Sequence, residues 1–421
     1  MKNIDIKKYD NGAKLICQEI EGASYVAFAI HVSVGAGDER ESELGLAHFL
    51  EHLFFKSTKE MSTQELATSL ESLGARINAQ TNDVKTVYHF HCLKENFERC
   101  VEIYSQMFSQ GLFNDEEIAK EKSVVLEEIK RAKDSPLHVA YMNAFRELMG
   151  GTRFGHDVLG LPEVISNVTR EEILSFKERN YTPNRIIFSV CGNISFNEAK
   201  VVVEKYFQKT LNEKFEGRPS ALPVVIKPKK NYILETQDRN QAQIYILFKS
   251  IAANDPSRFS VHLFQDILGG GLSSRLFTEL REKRGLVYST WAECYSCLEF
   301  GILGIYAGTS PNNVGLALEN IKAVLKELSQ HGVTEQELIK AKNNLKSSKV
   351  YAQDSKMQIA KLNAAKFAIF GEIPSLDWEF EMIEKVTIED VNKVAKQLYS
   401  EKDFVVSVVG KDIEESELRK F

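Results

Sequence analysis

Two histidines in the run His48-Phe-Leu-Glu-His52 are spaced for shared chemistry, at positions i and i+4. In a helix, side chains at that spacing leave one face about one turn apart and can hold a metal ion together. Glu51 stands on the same side as His48 and can reach a water on that metal without being a ligand itself. Neutral imidazoles, an open position for water and a nearby base are the parts that zinc-assisted hydrolysis needs. Leu50 and Leu53 point elsewhere and are free to anchor the helix in a core.

Catalytic zinc usually takes three protein ligands. The segment 115–133 has a helical pattern and supplies candidates. On a helical wheel Ile118, Glu121, Val125, Glu128, Ile129 and Ala132 share one face, and Lys120, Ser123, Glu127, Lys130 and Arg131 share the other. A carboxylate within an apolar stripe is costly unless it is paired or bound to metal. Glu128 is therefore the predicted third ligand, completing a site for one zinc ion per chain. Glu121, two turns earlier on that face, is placed to orient a histidine from behind. Glu127 is expected on the solvated side.

These groups need elements to hold them. The pattern predicts strands over 13–20 and 25–34, a turn at GAGDER, and a helix from about Glu43 to Phe55. A helix over 62–73 opens with Ser62 and Glu65 in capping-box spacing. Strands over 76–81 and 85–93 follow, paired around Asn82-Asp83, then helices at about 95–109 and 115–133 and a strand over 186–191. The stretch 209–229 carries three prolines and no helical period, and reads as a linker between halves 1–208 and 230–421. The second half repeats the sequence of element types. Its strands are expected at 232–235, 242–248, 285–294 and 300–307, and its helices at about 256–268, 312–329 and 334–353. Asp115-Glu-Glu-Ile-Ala-Lys-Glu-Lys122 matches Glu335-Gln-Glu-Leu-Ile-Lys-Ala-Lys342 at an offset of 220 (335 − 115), which points to a duplication. At that offset Glu121 meets Ala341 and Glu128 meets Ser348, so only the first half keeps the carboxylates. Helices and antiparallel strands in blocks argue for an α+β fold.

The formal charge of −6 over 421 residues gives no general attraction to nucleic acid or an anionic membrane. The charged start MKNIDIKKYDNG has no apolar core of a secretory signal, and no apolar run is long enough to span a bilayer. A cytoplasmic location is the resulting expectation. Six scattered cysteines, with one lone Cys294-Tyr-Ser-Cys297 pair, read as reduced thiols rather than a disulfide frame or a second zinc site.

With these residues in place, the sequence resembles the pitrilysin family of zinc peptidases, to which insulysin and the mitochondrial processing peptidase are related. His48-Phe-Leu-Glu-His52 matches the inverted H-x-x-E-H motif. Glu128 lies 76 positions after His52 (128 − 52), the family's usual separation, and Glu121 matches a carboxylate that the family carries seven residues before its third ligand. The resemblance implies two homologous α+β halves and a zinc metalloendopeptidase acting on extended or unfolded peptides, with Glu51 as general base. Gly74-Ala-Arg-Ile-Asn-Ala-Gln-Thr81 is similar to the family segment whose strand edge pairs with substrate, which puts Asn78 and Ala79 at contact positions. The run from Leu268 to Phe277 resembles the family's glycine-rich loop, and Arg281-Glu-Lys-Arg-Gly-Leu-Val-Tyr288 resembles the segment with its Arg/Tyr pair. Arg281 and Tyr288 would then steady the oxyanion formed during peptide hydrolysis. In family members made as one long chain, two units of this size close around the substrate, zinc coming from one and the Arg/Tyr pair from the other. For a chain of this length the resemblance implies a homodimer around an enclosed chamber. The family also contains non-catalytic partner subunits that have lost the motif. That alternative is weakened here by the retention of His48, Glu51, His52 and Glu128.

Overall fold

The computed structural model describes residues 4–215, 224–226, 230–400 and 403–421. They form two compact units. In the first, β1 (Ile4–Lys8), β2 (Lys14–Glu19), β3 (Val26–Val32), β4 (Arg76–Thr81), β5 (Thr86–Cys92) and β6 (Ile186–Gly192) make one sheet in the order β1-β2-β6-β3-β5-β4. β2 and β6 are parallel, and the other neighbours are antiparallel. The continuous apolar runs of β3 and β6 are buried at every position, because both faces of the sheet are covered. Phe28, Phe90 and Phe188 line the face that packs with Phe207 and with the helix Leu46–Phe54. On the opposite face Ala27, Ala29 and Ile187 meet the helix Lys356–Phe370 through Ala360 and Ala364. Small residues on both sides let that helix lie close to the strands.

The second unit holds β7 (Lys230–Thr236), β8 (Ala242–Ser250), β9 (Val287–Ser296), β10 (Gly301–Thr309) and β11 (Phe404–Gly410) in the order β7-β11-β8-β10-β9. That order, with a parallel β7–β11 pair, repeats the first sheet without its β1. The duplicated α+β architecture expected from the sequence is thus present in five matching strands of each sheet. β4 and β9 are the corresponding edges.

The units do not follow a division at the expected linker. Arg131–Gly155 belongs to the second unit, where the helix Pro136–Met149 packs on β8 and β11. Ala352–Ile373, with the helix Lys356–Phe370, belongs to the first. Each sheet has a second apolar face, and the helix that covers it comes from the other half of the chain. The expected linker also starts inside a short helix, Gln208–Asn212, whose Thr210 and Leu211 carbonyls accept from Asn11 Nδ2 at 2.8 and 2.9 Å. Residues 216–223 and 227–229 of that linker lie outside the described residues.

Candidate active site

The helix Leu46–Phe54 starts three residues later than the sequence pattern predicts, because Gly45 takes a left-handed φ of +101°. A Cβ there would sit 2.8 Å from the Leu159 carbonyl oxygen and 2.9 Å from Gly160 Cα, so only glycine fits. The free N–H groups at the helix start are met by a buried carboxylate: Glu39 accepts from Gly45 N at 2.8 Å and Ala47 N at 2.7 Å. Burial raises the Glu39 pKa against these hydrogen bonds, and His156 Nε2 lies 3.5 Å from its Oε2. Leu46, Phe49, Leu50 and Leu53 fix the helix in the core, which leaves His48, Glu51 and His52 on its other side.

The facing helix Asp115–Lys133 buries Ile118, Glu121, Val125 and Ile129, the stripe expected from the wheel. Glu128 Oε2 lies 3.4 Å from His52 Nε2 and 3.7 Å from His48 Nε2. These three ligand atoms are all within 4.8 Å of one another. Zinc bond lengths of about 2.0–2.2 Å in tetrahedral geometry call for ligand atoms about 3.3 Å apart, so the set fits zinc with slight closure. Two imidazoles and one carboxylate are also a known donor set for catalytic zinc. Glu127 instead pairs with Lys130 at 2.5 Å on the solvent side.

Behind the ligands runs a chain of contacts. Glu121 Oε2 is 3.1 Å from His52 Nδ1, and Glu121 Oε1 is 2.5 Å from Lys56 Nζ. Burial opposes the Glu121 charge, but His52 and Lys56 outweigh it and hold the pKa below the usual carboxylate value. The carboxylate keeps a proton on His52 Nδ1 and leaves Nε2 free to face the metal position. His48 has its pKa pushed down to about 4 by burial and by His52, so its imidazole is neutral, the form a metal takes. Burial raises the Glu51 pKa, and the Thr81 hydroxyl donates to its Oε2. Thr81 closes β4, the edge strand, which pairs with β5 alone among the described residues. Asn78 is exposed on that edge and its Oδ1 accepts from Ala79 N at 2.8 Å, while the Ala79 side chain turns into the core.

Sequence reasoning did not single out Thr81, Lys56, Glu39 or His156. Lys56 follows His52 at i+4, so a helical wheel could have found it. The contact of Thr81 with Glu51 depends on strand placement, and that of His156 with Glu39 spans more than a hundred residues.

Arg281 and Tyr288 are in the second unit. Arg281 sits on a turn of π-helix, Phe277–Glu282, with its guanidinium 5.0 Å from the Phe277 ring. Its neighbours Lys283 and Arg284 both pair with Glu279. Neither Arg281 nor Tyr288 has an ion pair or side-chain hydrogen bond among the described residues, and Tyr288 is 57% exposed near the start of β9. The helix Arg258–Gly269 lies against β9 as the metal helix lies against β4. There His262-Leu-Phe-Gln-Asp266 replaces His48-Phe-Leu-Glu-His52 at an offset of 214 (262 − 48). The base position becomes Gln265, and Asp266 accepts from Asn344 Nδ2 at 3.1 Å. Ala341 and Ser348 stand at the carboxylate positions, so the second unit has lost the donor set. Cys294 and Cys297 are free thiols whose pKa values burial pushes up to about 12. No helix among the described residues is long and apolar enough to cross a membrane.

Residues 14–160 match the family described as "Insulinase (Peptidase family M16)", and residues 167–345 match the one described as "Peptidase M16 inactive domain". An uncharacterized zinc protease of Bacillus subtilis, YmxG, is 30% identical over 96% of this chain and 98% of its own length. Another from Mycobacterium leprae is 30% identical over 95% of this chain and 90% of its own length. The crystal structure of a protease from Helicobacter pylori shares the fold with a TM-score of 0.89 at 22% identity, covering 97% of this chain and 99% of that one. A peptidase M16 inactive domain from Pseudomonas fluorescens has the same TM-score at 19% identity, covering 98% of each. The matched halves and the full-length likeness to relatives named zinc proteases mean that this chain belongs to the insulinase family of peptidases, family M16.

Proposed function

We propose that the protein is a zinc-dependent endopeptidase that cleaves extended peptides. The observation that carries this reading is the convergence of His48, His52 and Glu128 beside Glu51, next to an open strand edge. A bound zinc ion would act as a Lewis acid and bring the pKa of a water to about 7. Glu51 takes the proton of the attacking water and passes it to the leaving amine. The Thr81 hydroxyl holds one oxygen of Glu51 and so aims the other. Glu121, held by Lys56, fixes the His52 ring. β4 receives the substrate as an added strand at Asn78 and Ala79, reading backbone rather than side chains. Arg281 and Tyr288 serve as donors to the oxyanion. In this proposal they come from the partner chain of a homodimer that encloses the peptide. The loss of the donor set in the second unit supports a division of labour, with chemistry in one unit and substrate stabilisation in the other.

The test is a mixed peptide digest read by mass spectrometry. Wild type should cleave peptides, lose activity with a strong chelator and regain it with zinc. Glu51→Gln should keep its zinc and lose about 10²- to 10⁴-fold in turnover. A Glu51→Gln protein that cleaves at the wild-type rate removes Glu51 as the base. Full activity after exhaustive metal removal ends the zinc reading.

A further inference from the structure

At the edge of the first sheet the two faces differ in charge. One face of β4 carries Ala79 and Thr81, toward Glu51 and the metal helix. The other carries Arg76, Asn78 and Gln80, all exposed. In register, Arg76 is opposite His91 and Asn78 is opposite His89. His89 and His91 lie in β5 on the face that the helix Lys356–Phe370 covers, since they pair with Ala29 and Ala27 of that face. Burial lowers the pKa of His89, Lys85 and His91, and Lys361 of that helix is close enough to add to the fall at His89 and Lys85, as Arg76 does at His91. Arg76, Lys85, His89, His91 and Lys361 form no ion pair among the described residues. These cations line the length of the β4–β5 pair, Arg76 at one end and Lys85 at the other, about 17 Å apart, with Lys361 near Lys85 and His89. Burial and nearby cations hold His89 down at about 4, and burial also lowers the pKa of Lys85 and Lys361, so Arg76, Lys85 and Lys361 are the basic side chains that this face offers.

We propose that this face selects acidic side chains: a peptide added along β4 favours aspartate or glutamate where its side chains turn toward Arg76, away from the metal helix. Side chains of an extended peptide alternate between faces, so every second residue meets the cations while the others face the metal side. Arg76 is three residues from Ala79, about 10 Å along a strand, so the favoured position is about two to four residues from the cleaved bond, on one side of it. The inference rests on the peptidase reading above and adds a substrate class to it.

The experiment uses peptides that share one cleaved core, with Glu, Gln or Lys moved through each position, and reads kcat/KM at low and high salt. Each exposed charge pair contributes a factor of about 1.5 to 5. Glu should therefore beat Gln by roughly three- to tenfold at one position or at alternate positions, and Lys should be the worst of the three. Salt should shrink the ratio, most of all for the exposed Arg76. In Arg76→Gln the Glu/Gln ratio should fall toward one, Lys361→Gln should lower it independently, and Arg76→Glu should favour Lys over Glu. Circular dichroism confirms that each variant is folded. A wild-type ratio near one at every position overturns this inference alone, as does a preference that survives in both Gln variants. Failure to cleave any peptide overturns the peptidase reading and this inference with it.

Discussion

Glu127 and Glu128 are adjacent, chemically identical and separated in role by 100° of helix. The apolar stripe of 115–133 already points Glu128 inward, and the structure puts it within 3.7 Å of both histidines while Glu127 pairs with Lys130. Glu128→Gln should weaken zinc binding by at least about 100-fold, more than a change behind the ligands would. Glu127→Gln should keep metal and activity. Zinc titration against a competing chelator measures both, and the reverse result would show that the wrong face was chosen. Arg281 is a case where local pattern is silent. Three cations lie between residues 281 and 284, and a sequence has no means of ranking them. Glu279 pairs with both Lys283 and Arg284, while Arg281 has no ion pair among the described residues. Side chains one helical turn apart were legible, and contacts across strands, such as Thr81 with Glu51, were not.

At the level of elements, the helix that carries His48 is held from its N-terminal end. Glu39 supplies acceptors to two of its N–H groups, and Gly45 lets the chain pass against Leu159 and Gly160. Gly45→Ala adds a Cβ within 3 Å of backbone atoms at a positive φ, a strain of about 1–3 kcal/mol. In the metal-free protein this should lower the melting temperature of the first unit by about 3–10 °C. It should also weaken zinc binding, because the helix start and His48 shift together. Thermal unfolding followed by circular dichroism in chelator reads the first effect, and an unchanged melting point would mean that the loop at residue 160 gives way freely. Strands with clear turns, such as 76–81 and 85–93, were readable within a residue or two. The covering helices were harder. Lys356–Phe370 buries one face, with Met357, Ala360, Ala364 and Phe367, but Leu362, Ala365 and Ile369 put apolar residues on the opposite side as well, so the sequence shows no single stripe. Nothing local tells such a helix which of two similar sheets to cover, and it packs on the sheet of the other half.

For the whole molecule, the proposed function has to bring Arg281 and Tyr288 of the second unit to a metal set in the first. The proposed homodimer gives each site the ligands of one chain and the Arg281/Tyr288 pair of its partner. A two-fold dimer then has two equivalent sites facing one chamber, open to extended peptides and closed to folded proteins. Complementation tests this directly. His52→Ala removes a ligand from its own chain's site, and Arg281→Ala removes a donor from the partner's site. Each homodimer carries a lesion at both sites and should be nearly inactive. In a mixed dimer the site with the altered His52 also receives the altered Arg281, so one site collects both lesions and the other collects none. After subunit exchange, activity should return to about half the wild-type rate per mixed dimer, a figure that treats the sites as independent. Native mass spectrometry of isotope-labelled subunits confirms that exchange took place. If exchange is complete and no activity returns, Arg281 acts on its own chain's zinc or takes no part in catalysis. A protein that remains a monomer at working concentration and still cleaves peptides at full rate would exclude the shared site altogether.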